Sequence, residues 1–244
     1  MAGSRWRIAD SGNRRAIFLD RDGSINGMIY NPEFGLVDSP QNPQQFQLLP
    51  GAAEAIRLIN EMGFLAVVVS NQPGIAKGKS TPALMQAMTE KMHQQLAENG
   101  ARLDAVYYCL HHPEAVLEEY RVACNCRKPK PGLLQKAATE LGVDLQASFM
   151  IGDGLTDVLA GKAVGCTTIF LGNRKCEICG MMEELGAWPD FQAPNLLEAA
   201  RLIHRVTSRS VILSHALSEA NGSAPQNDIR LSGYFTAGFW DRRN

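Results

Sequence analysis

The 244-residue chain lacks the sequence features that are typical of nucleic-acid-binding, membrane and secreted proteins. It has no long basic run and a formal net charge of −1, which disfavours a general nucleic-acid-binding protein. No apolar run approaches the roughly 20 residues of a transmembrane helix. The N-terminal segment MAGSRWRIADSGNRR contains no apolar signal core. We therefore expect a cytoplasmic protein whose partners include neither a membrane nor a nucleic acid.

Cysteine is scarce, and its distribution is uneven. The chain has 6 Cys and 5 His, yet three Cys and two His lie between Cys109 and Cys126. In a reducing compartment such thiols indicate a metal site or free side chains more than disulfides. The composition, 45% hydrophobic and 20% charged, is that of a globular protein. The length suits one large α/β domain, or one domain with an appendage.

Strand-sized apolar runs alternate along the chain with helical patterns. The patterns predict strands over 16–20, 64–71, 103–110, 148–153 and 167–172, and helices over 51–63, 80–100, 132–142, 156–165 and 196–206. This alternation is typical of a doubly wound, Rossmann-like parallel sheet, an α/β fold that binds ligands at the carboxyl ends of its strands. In the second helix, Ser80 or Thr81 is predicted to cap the N-terminus. One helical stripe is predicted to face the core: Leu84, Met88, Met92 and Leu96.

Acidic side chains fall at two of the predicted strand ends. Asp20 and Asp22 follow the first strand, and Asp153 ends the fourth, with Asp157 one helical turn later. A pair of carboxylates such as Asp20 and Asp22 is also common in simple turns. Carboxylate oxygens on loops at one edge of a sheet are the ligands that magnesium takes together with a phosphate substrate. The sequence therefore predicts a magnesium site at this edge.

Two further residues suit the phosphate group itself. Ser70 ends the second predicted strand in the segment SNQPG, and its hydroxyl suits phosphate oxygens. Lys128, in CRKPKPG, brings a positive charge. Alone, Ser70 is equally a strand-end cap and Lys128 a solvated cation. Together with the acidic residues, in this order at the strand ends, they indicate phosphoryl chemistry.

A second metal site is predicted where the cysteines cluster. Cys109 and His111 lie two residues apart at a strand end, so their side chains point the same way, whereas His112 faces the other way. Cys124 and Cys126 repeat that spacing after an interval of twelve residues. Three Cys and one His form a closed structural zinc set, with no position open for a substrate. Buried thiols beside exposed histidines are the alternative.

These residues occur in the order of a known family. AIFLDRDG, VVVSN, RKPKPG and MIGDGLTD resemble the four motifs of the haloacid dehalogenase superfamily of phosphotransferases, over roughly residues 14–205. The resemblance implies a magnesium-dependent phosphatase that forms an aspartyl-phosphate. It implies Asp20 as the nucleophile, Asp22 as general acid and base, and Ser70 and Lys128 as phosphate ligands. The implied magnesium ligands are Asp20, Asp153 and Asp22, the last through its backbone carbonyl.

The cysteine cluster narrows the resemblance to one group of the superfamily, which contains heptose bisphosphate and histidinol-phosphate phosphatases. The long interval between the Cys-x-His and Cys-x-Cys pairs is similar to that of the heptose enzymes. The resemblance implies a monomer with a catalytic domain over 14–206, no large cap domain, and a zinc-stapled loop over 109–126 that shapes the pocket. Its substrate would be a small-molecule sugar phosphate, cleaved at the 7-phosphate. The implied substrate contacts are Asn71, Gln72, Pro73, Arg127 and Lys128.

Several parts of the chain depart from the family pattern. The segment over 25–51 is longer than usual, so we assign no substrate contacts in it. Gly154 stands where some heptose enzymes carry a Lys, which leaves the preference for one sugar anomer open. The segment 207–244 is expected to be a flexible tail. Cys176 and Cys179 are expected to be a pair of thiols in a loop.

Two other functions remain open at this point. One is a histidinol-phosphate phosphatase or a broader small-molecule phosphomonoesterase. The other is a zinc-bearing binding module whose catalytic residues are vestigial. The filled catalytic positions disfavour the binding module.

Overall fold

The computed structural model describes residues 14–31, 35–172 and 176–221. Strands in these ranges are β1 (Ala16–Leu19), β2 (Ile29–Asn31), β3 (Leu36–Asp38), β4 (Leu65–Asn71), β5 (Ala105–Cys109), β6 (Phe149–Gly152), β7 (Thr167–Leu171) and β8 (Phe191–Ala193). The α-helices are α1 (Ala52–Glu61), α2 (Pro82–Glu98), α3 (Gly132–Leu141), α4 (Leu155–Ala163), α5 (Cys176–Leu185) and α6 (Leu196–Asn221).

Six strands form one parallel sheet in the order β5-β4-β1-β6-β7-β8. Ile17 of β1 is in register with Ala66 of β4 on one side and with Phe149 of β6 on the other. The doubly wound parallel sheet is confirmed. Since β4, β1 and β6 are neighbours, their carboxyl ends meet at one edge, where parallel sheets bind ligands.

Helices cover both faces of this sheet. Alternate residues of a strand point to opposite faces. Accordingly, Ile17 and Leu19 pack in a core that includes buried residues of α1, α2 and α6, whereas Ala16 and Phe18 pack in a second core with residues of α3 and α4. All four residues are fully buried. A strand that is apolar on both faces is therefore explained by two layers of helices.

Helix α2 differs from its prediction by one position of the core stripe. Thr81 is the cap, and its hydroxyl accepts a hydrogen bond of 3.2 Å from the Leu84 N–H. The first buried residue of the helix is Met85, while Leu84 is only partly buried. Met85 faces inward, where its sulfur is 3.5 Å from the guanidinium of a buried arginine, Arg21. The rest of the stripe is buried as predicted: Met88, Met92 and Leu96.

Several elements were not anticipated from the sequence. The segment 25–51 contains the antiparallel hairpin of β2 and β3. Cys176 begins helix α5 and Cys179 lies within it, so this pair is on a helix rather than in a loop. Helix α6 continues past the predicted end at residue 206 to Asn221, since neither Gly nor Pro interrupts it before Gly222. The rest of the predicted tail, 222–244, lies outside the described residues.

The described ranges contain no domain-sized insertion between strands, in agreement with the expected absence of a large cap. Nor is any helix within them both long enough and apolar enough to span a bilayer.

Two helix glycines provide a matched test of the packing on the sheet. A Cβ at Gly161 of α4 would lie 2.8 Å from side-chain atoms of both Met150 and Thr168, whereas a Cβ at Gly180 of α5 would meet nothing within 4 Å. Ala is favoured over Gly in a helix by about 1 kcal/mol, and overpacking a core costs about 1–3 kcal/mol. We therefore expect Gly180→Ala to raise the free energy of unfolding and Gly161→Ala to lower it, in urea denaturation. Equal effects would show that α4 is loosely packed.

Candidate active site and metal centre

Three carboxylates meet at the edge where the strands end. Asp20 directly follows β1, and its N–H donates to the Ile151 carbonyl of β6 at 2.9 Å. Asp153 follows β6, and Asp157 lies in the first turn of α4. Each offers a carboxylate oxygen, and these oxygens lie within 4.8 Å of one another. Because β1 and β6 are adjacent in the sheet, Asp20 and Asp153 lie close together, as the sequence predicts.

Gly23 permits this convergence. Its φ is +83°, a left-handed conformation that favours glycine, and a Cβ at this position would lie 2.0 Å from Oδ2 of Asp153. The turn that follows Asp22 therefore comes close to Asp153 only because residue 23 has no side chain.

Burial and the crowding of like charges shift the pKa values of two carboxyl groups in the site. Desolvation, then the charges of Asp20 and Asp157, raises the pKa of Asp153 to about 7. Desolvation also raises the pKa of Asp157 to about 6, even though the adjacent Lys128 opposes the shift. Neighbouring carboxyl groups do not ionise readily together, because their negative charges repel. A divalent cation bound between them would offset that repulsion. Oxygen donors at this spacing fit magnesium.

Lys128 is buried among these acids, with 3% of its surface exposed. Its Nζ lies 2.7 Å from Oδ1 of Asp20 and 2.5 Å from Oδ1 of Asp157, and it donates to the Val69 carbonyl at 2.8 Å. Burial alone would lower the pKa of this ammonium, but Asp157 and Asp20 outweigh burial and raise it. Lys128 is therefore a fixed cation beside Asp20. Asp157, considered from the sequence as an oxygen ligand, is its ion-pair partner.

Asn71 holds the backbone of Lys128 in place. Its Nδ2 donates to the Lys128 carbonyl and its Oδ1 accepts from the Lys128 N–H, both at 3.0 Å. Asn71, expected to line the phosphate pocket, thus has its amide group committed to fixing the lysine. This reciprocal pair joins the end of β4 to the segment that follows the cysteine cluster.

Asp22 lies apart from the carboxylate cluster. Its side chain accepts hydrogen bonds from Arg21, from Asn26 Nδ2 at 2.9 Å and from Gln72 Nε2 at 2.6 Å. Gln72 also donates to the hydroxyl of Ser70 at 3.1 Å. Gln72 is therefore buried between Asp22 and Ser70.

Sequence reasoning missed Arg21 and Asn26, both of which are fully buried. The signal for Arg21 was its place between two carboxylates, with which a guanidinium can pair. Asn26 carried no comparable signal.

The four predicted zinc ligands converge. The Sγ of Cys109 lies 3.6 Å from that of Cys124 and 3.2 Å from that of Cys126, and Nδ1 of His111 lies 3.3 Å from the sulfur of Cys126. These separations are too long for a disulfide bond of about 2.05 Å. They are close to the roughly 3.8 Å between sulfurs on a tetrahedral zinc with Zn–S bonds of about 2.3 Å. The donor set fits a structural zinc.

The three thiols of the cluster differ in their pKa values. Burial, then the thiol of Cys126, raises the pKa of Cys109. At Cys124, burial opposes ionisation, yet hydrogen bonds led by that from Cys126 lower the pKa to about 7. Zinc binds thiolates, so the cluster releases protons when it is loaded. As expected, His112 is not part of the cluster, and its Nδ1 accepts from the Glu114 N–H at 3.1 Å.

Arg127 connects the two sites. It follows the ligand Cys126 and precedes Lys128, and its Nη1 donates to the His111 carbonyl at 3.3 Å. The guanidinium is partly exposed, as is Pro73 on the neighbouring loop. Asn71 is partly exposed as well, whereas Gln72 is buried, so of these four residues only Gln72 is closed off from solvent.

Comparison with known proteins gives consistent results. A family model described as HAD-hydrolase-like matches residues 125–199. The chain is 42% identical over 173 residues to the D-glycero-beta-D-manno-heptose-1,7-bisphosphate 7-phosphatase of Escherichia coli (strain K12), covering 71% of this chain and 86% of that protein. It is 45% identical over 152 residues to the protein of the same name from Pasteurella multocida, covering 61% and 76%.

A solved structure supports the same relationship. The D,D-heptose 1,7-bisphosphate phosphatase from B. bronchiseptica, complexed with magnesium and phosphate, superposes with a TM-score of 0.64 at 29% sequence identity. The superposition covers 78% of this chain and 98% of that one.

The raised pKa of Asp153 predicts pH-dependent magnesium binding. The folded pKa of about 7 exceeds the unfolded value of about 3.9. Protonation of Asp153 therefore stabilises the folded state. This stabilisation is fully present below the unfolded pKa and is lost as the pH rises through the folded pKa of about 7. Because magnesium must displace the proton, it should raise the melting temperature more at about pH 8 than at about pH 6. Asp153→Asn should abolish the difference. A magnesium effect equal at both pH values would contradict the carboxylate site.

The cysteine cluster predicts tightly bound zinc. Elemental analysis of protein purified without chelator should give about one zinc per chain. Cys124→Ser should lose the metal and lower the melting temperature, because metal binding to the folded cluster adds to the free energy of folding. Cys179→Ser, which changes a partly exposed free thiol on α5, is the matched control and should keep both. Folded, active protein without zinc would refute this site.

Proposed function

Since the chain belongs to the HAD-like phosphatase family of D-glycero-beta-D-manno-heptose-1,7-bisphosphate 7-phosphatases, we propose that it removes the 7-phosphate of heptose 1,7-bisphosphate. The reaction is the hydrolysis of a phosphate monoester with magnesium as cofactor. The observation that carries the proposal is the 2.7 Å contact between Lys128 Nζ and Asp20 Oδ1 at the carboxyl edge of the sheet. A buried cation there lets an anionic phosphate approach an anionic nucleophile.

Magnesium would be held by the side chains of Asp20 and Asp153 and by the backbone carbonyl of Asp22. When bound, it offsets negative charge on the phosphate during transfer. The raised pKa of Asp153 supports this assignment, as does the clash that any side chain at residue 23 would make with Asp153.

The chain's own residues carry the two transfer steps. In the first, an oxygen of Asp20 bonds to phosphorus while the bond to the sugar oxygen breaks, and that oxygen takes a proton from Asp22. In the second, water bonds to phosphorus, the Asp20–phosphorus bond breaks, and Asp22 takes a proton from the water. Lys128 and the Ser70 hydroxyl hold the phosphoryl group between the steps.

The zinc loop over 109–126 forms one wall of the substrate pocket and fixes Arg127. A rigid guanidinium suits recognition of the distal end of a sugar bisphosphate, through hydroxyls or the second phosphate. The contact from Arg127 to the His111 carbonyl supports this role, because it ties the side chain to the loop. Little conformational entropy of the Arg127 side chain is then lost when a substrate binds.

We assign the catalytic machinery to residues 14–206 and the reaction to the cytoplasm, where the zinc thiolates stay reduced. The residues to which we assign roles in catalysis and magnesium binding all lie in this range: Asp20, Asp22, Ser70, Lys128 and Asp153.

Substrate preference tests the proposal. Heptose 1,7-bisphosphate should exceed heptose 1-phosphate and histidinol phosphate by at least ~10-fold in kcat/KM, a difference of about 1.4 kcal/mol in transition-state binding. Arg127→Ala should erode that preference and spare slow hydrolysis of an aryl phosphate. Steady-state phosphate release would measure both effects.

The control for this assay is Asp20→Asn, which should be inactive on every ester because an amide does not attack phosphorus. Activity within about tenfold of wild type would exclude Asp20 as the nucleophile. A higher kcat/KM for histidinol phosphate than for heptose 1,7-bisphosphate would instead identify the protein as a histidinol-phosphate phosphatase.

A further inference from the structure

Arg21 is a buried cation that the proposed steps do not use. It lies between the nucleophile Asp20 and the acid Asp22 in sequence, and none of its surface is exposed. Burying a guanidinium is costly unless it is paired and hydrogen-bonded throughout. The partners of Arg21 therefore indicate what the protein gains from it.

The principal partner is the carboxylate of Asp22. Nε of Arg21 donates to Oδ1 at 3.0 Å, and Nη2 donates to Oδ2 at 3.1 Å. This two-pronged geometry fixes the plane of the carboxylate as well as its position, because the guanidinium is a rigid fork.

Gln72 extends the pair to the phosphate-binding side. Its Oε1 accepts from Nη2 of Arg21 at 2.8 Å, while its Nε2 donates to Asp22 at 2.6 Å and to the Ser70 hydroxyl at 3.1 Å. One buried amide, with 2% of its residue exposed, thus bridges the cation, the acid and the serine.

The other side of the guanidinium is enclosed by the sheet and by α2. The guanidinium carbon lies 5.5 Å from the ring centroid of Tyr108 on β5, and Nη1 lies 3.5 Å from the sulfur of Met85. The Tyr108 hydroxyl is in turn 3.1 Å from that of Thr89. Arg21 therefore has no room to turn away from Asp22.

We propose that Arg21 is a positioning residue for proton transfer: it holds the Asp22 carboxylate in the orientation from which Asp22 serves the leaving oxygen and then the attacking water. The inference rests on the proposed function. Asp22 enters the first step protonated, so it then accepts one hydrogen bond fewer than the four described here. Its O–H bond breaks as the sugar oxygen gains the proton, and the carboxylate so formed is held by Arg21, Asn26 and Gln72. In the second step a water O–H bond breaks and Asp22 regains a proton.

Arg21→Lys separates this role from a purely structural one, because lysine keeps the charge but cannot form the fork. For a sugar phosphate, loss of proton donation slows the first step. For p-nitrophenyl phosphate, the good leaving group needs no proton in that step. We expect kcat/KM for heptose bisphosphate to fall at least ~10-fold more than kcat/KM for p-nitrophenyl phosphate.

Pre-steady-state kinetics gives a second readout. With p-nitrophenyl phosphate, Arg21→Lys should release about one nitrophenol per chain in a burst and then turn over slowly, since water attack lacks its positioned base. If both kcat/KM values fall by one common factor and no burst appears, Arg21 is structural and the inference is overturned. If the wild type hydrolyses neither ester, the proposed function itself fails.

Two further variants guard against misfolding. Met85→Leu changes the packing on the far side of the guanidinium and should leave the ratio of the two kcat/KM values unchanged. Gln72→Met removes one bond to Asp22 and should shift the ratio in the direction of Arg21→Lys, by a smaller factor. If Arg21→Lys does not fold, an unchanged ratio in Gln72→Met overturns the inference.

Discussion

The site depends on one interaction, the ammonium of Lys128 held between Asp20 and Asp157. Three carboxylates at one sheet edge repel each other, and burial increases the cost of their charge. A cation fixed at 2.7 Å from Asp20 and 2.5 Å from Asp157 compensates two of them. Asp153 remains with its pKa raised to about 7, and the remaining charge is what a divalent ion suits. The amide of Asn71 and the carbonyl of Val69 keep the lysine in that position.

The cysteine cluster and Lys128 are neighbours in the chain. Cys126, Arg127 and Lys128 are consecutive, so a metal on the cysteines fixes the backbone from which both basic side chains project. Gly132 shows how compact this segment is, since a Cβ there would lie 2.5 Å from the Asn125 carbonyl oxygen. In the proposed pocket, metal binding would therefore stiffen the loop over 109–126 beyond what its hydrogen bonds supply.

Two aspartates that are two residues apart lie in different surroundings, which supports the different roles that we propose for them. Asp20 faces the cluster of charges and the buried ammonium, as a nucleophile requires. Asp22 faces the buried donors of Arg21, Asn26 and Gln72. Separating acid-base chemistry from nucleophilic chemistry by environment is a general way in which one pair of carboxylates performs both. The fully buried Arg21 supplies two of the four hydrogen bonds that Asp22 accepts.

The sequence by itself determined the parallel sheet, the strand ends that bear Asp20, Ser70 and Asp153, and the pairing of Cys109-x-His111 with Cys124-x-Cys126. These features follow from local periodicity: apolar runs define the strands, and i,i+2 spacing puts two side chains on one face. Only the tertiary structure decided that Asn71 binds the backbone of Lys128, that Gln72 is buried between Asp22 and Ser70, and that Met85 rather than Leu84 faces inward. It also decided the partners of Arg21, which come from β5, α2 and the loop after β4. Such contacts join segments far apart in the chain, so no local pattern encodes them.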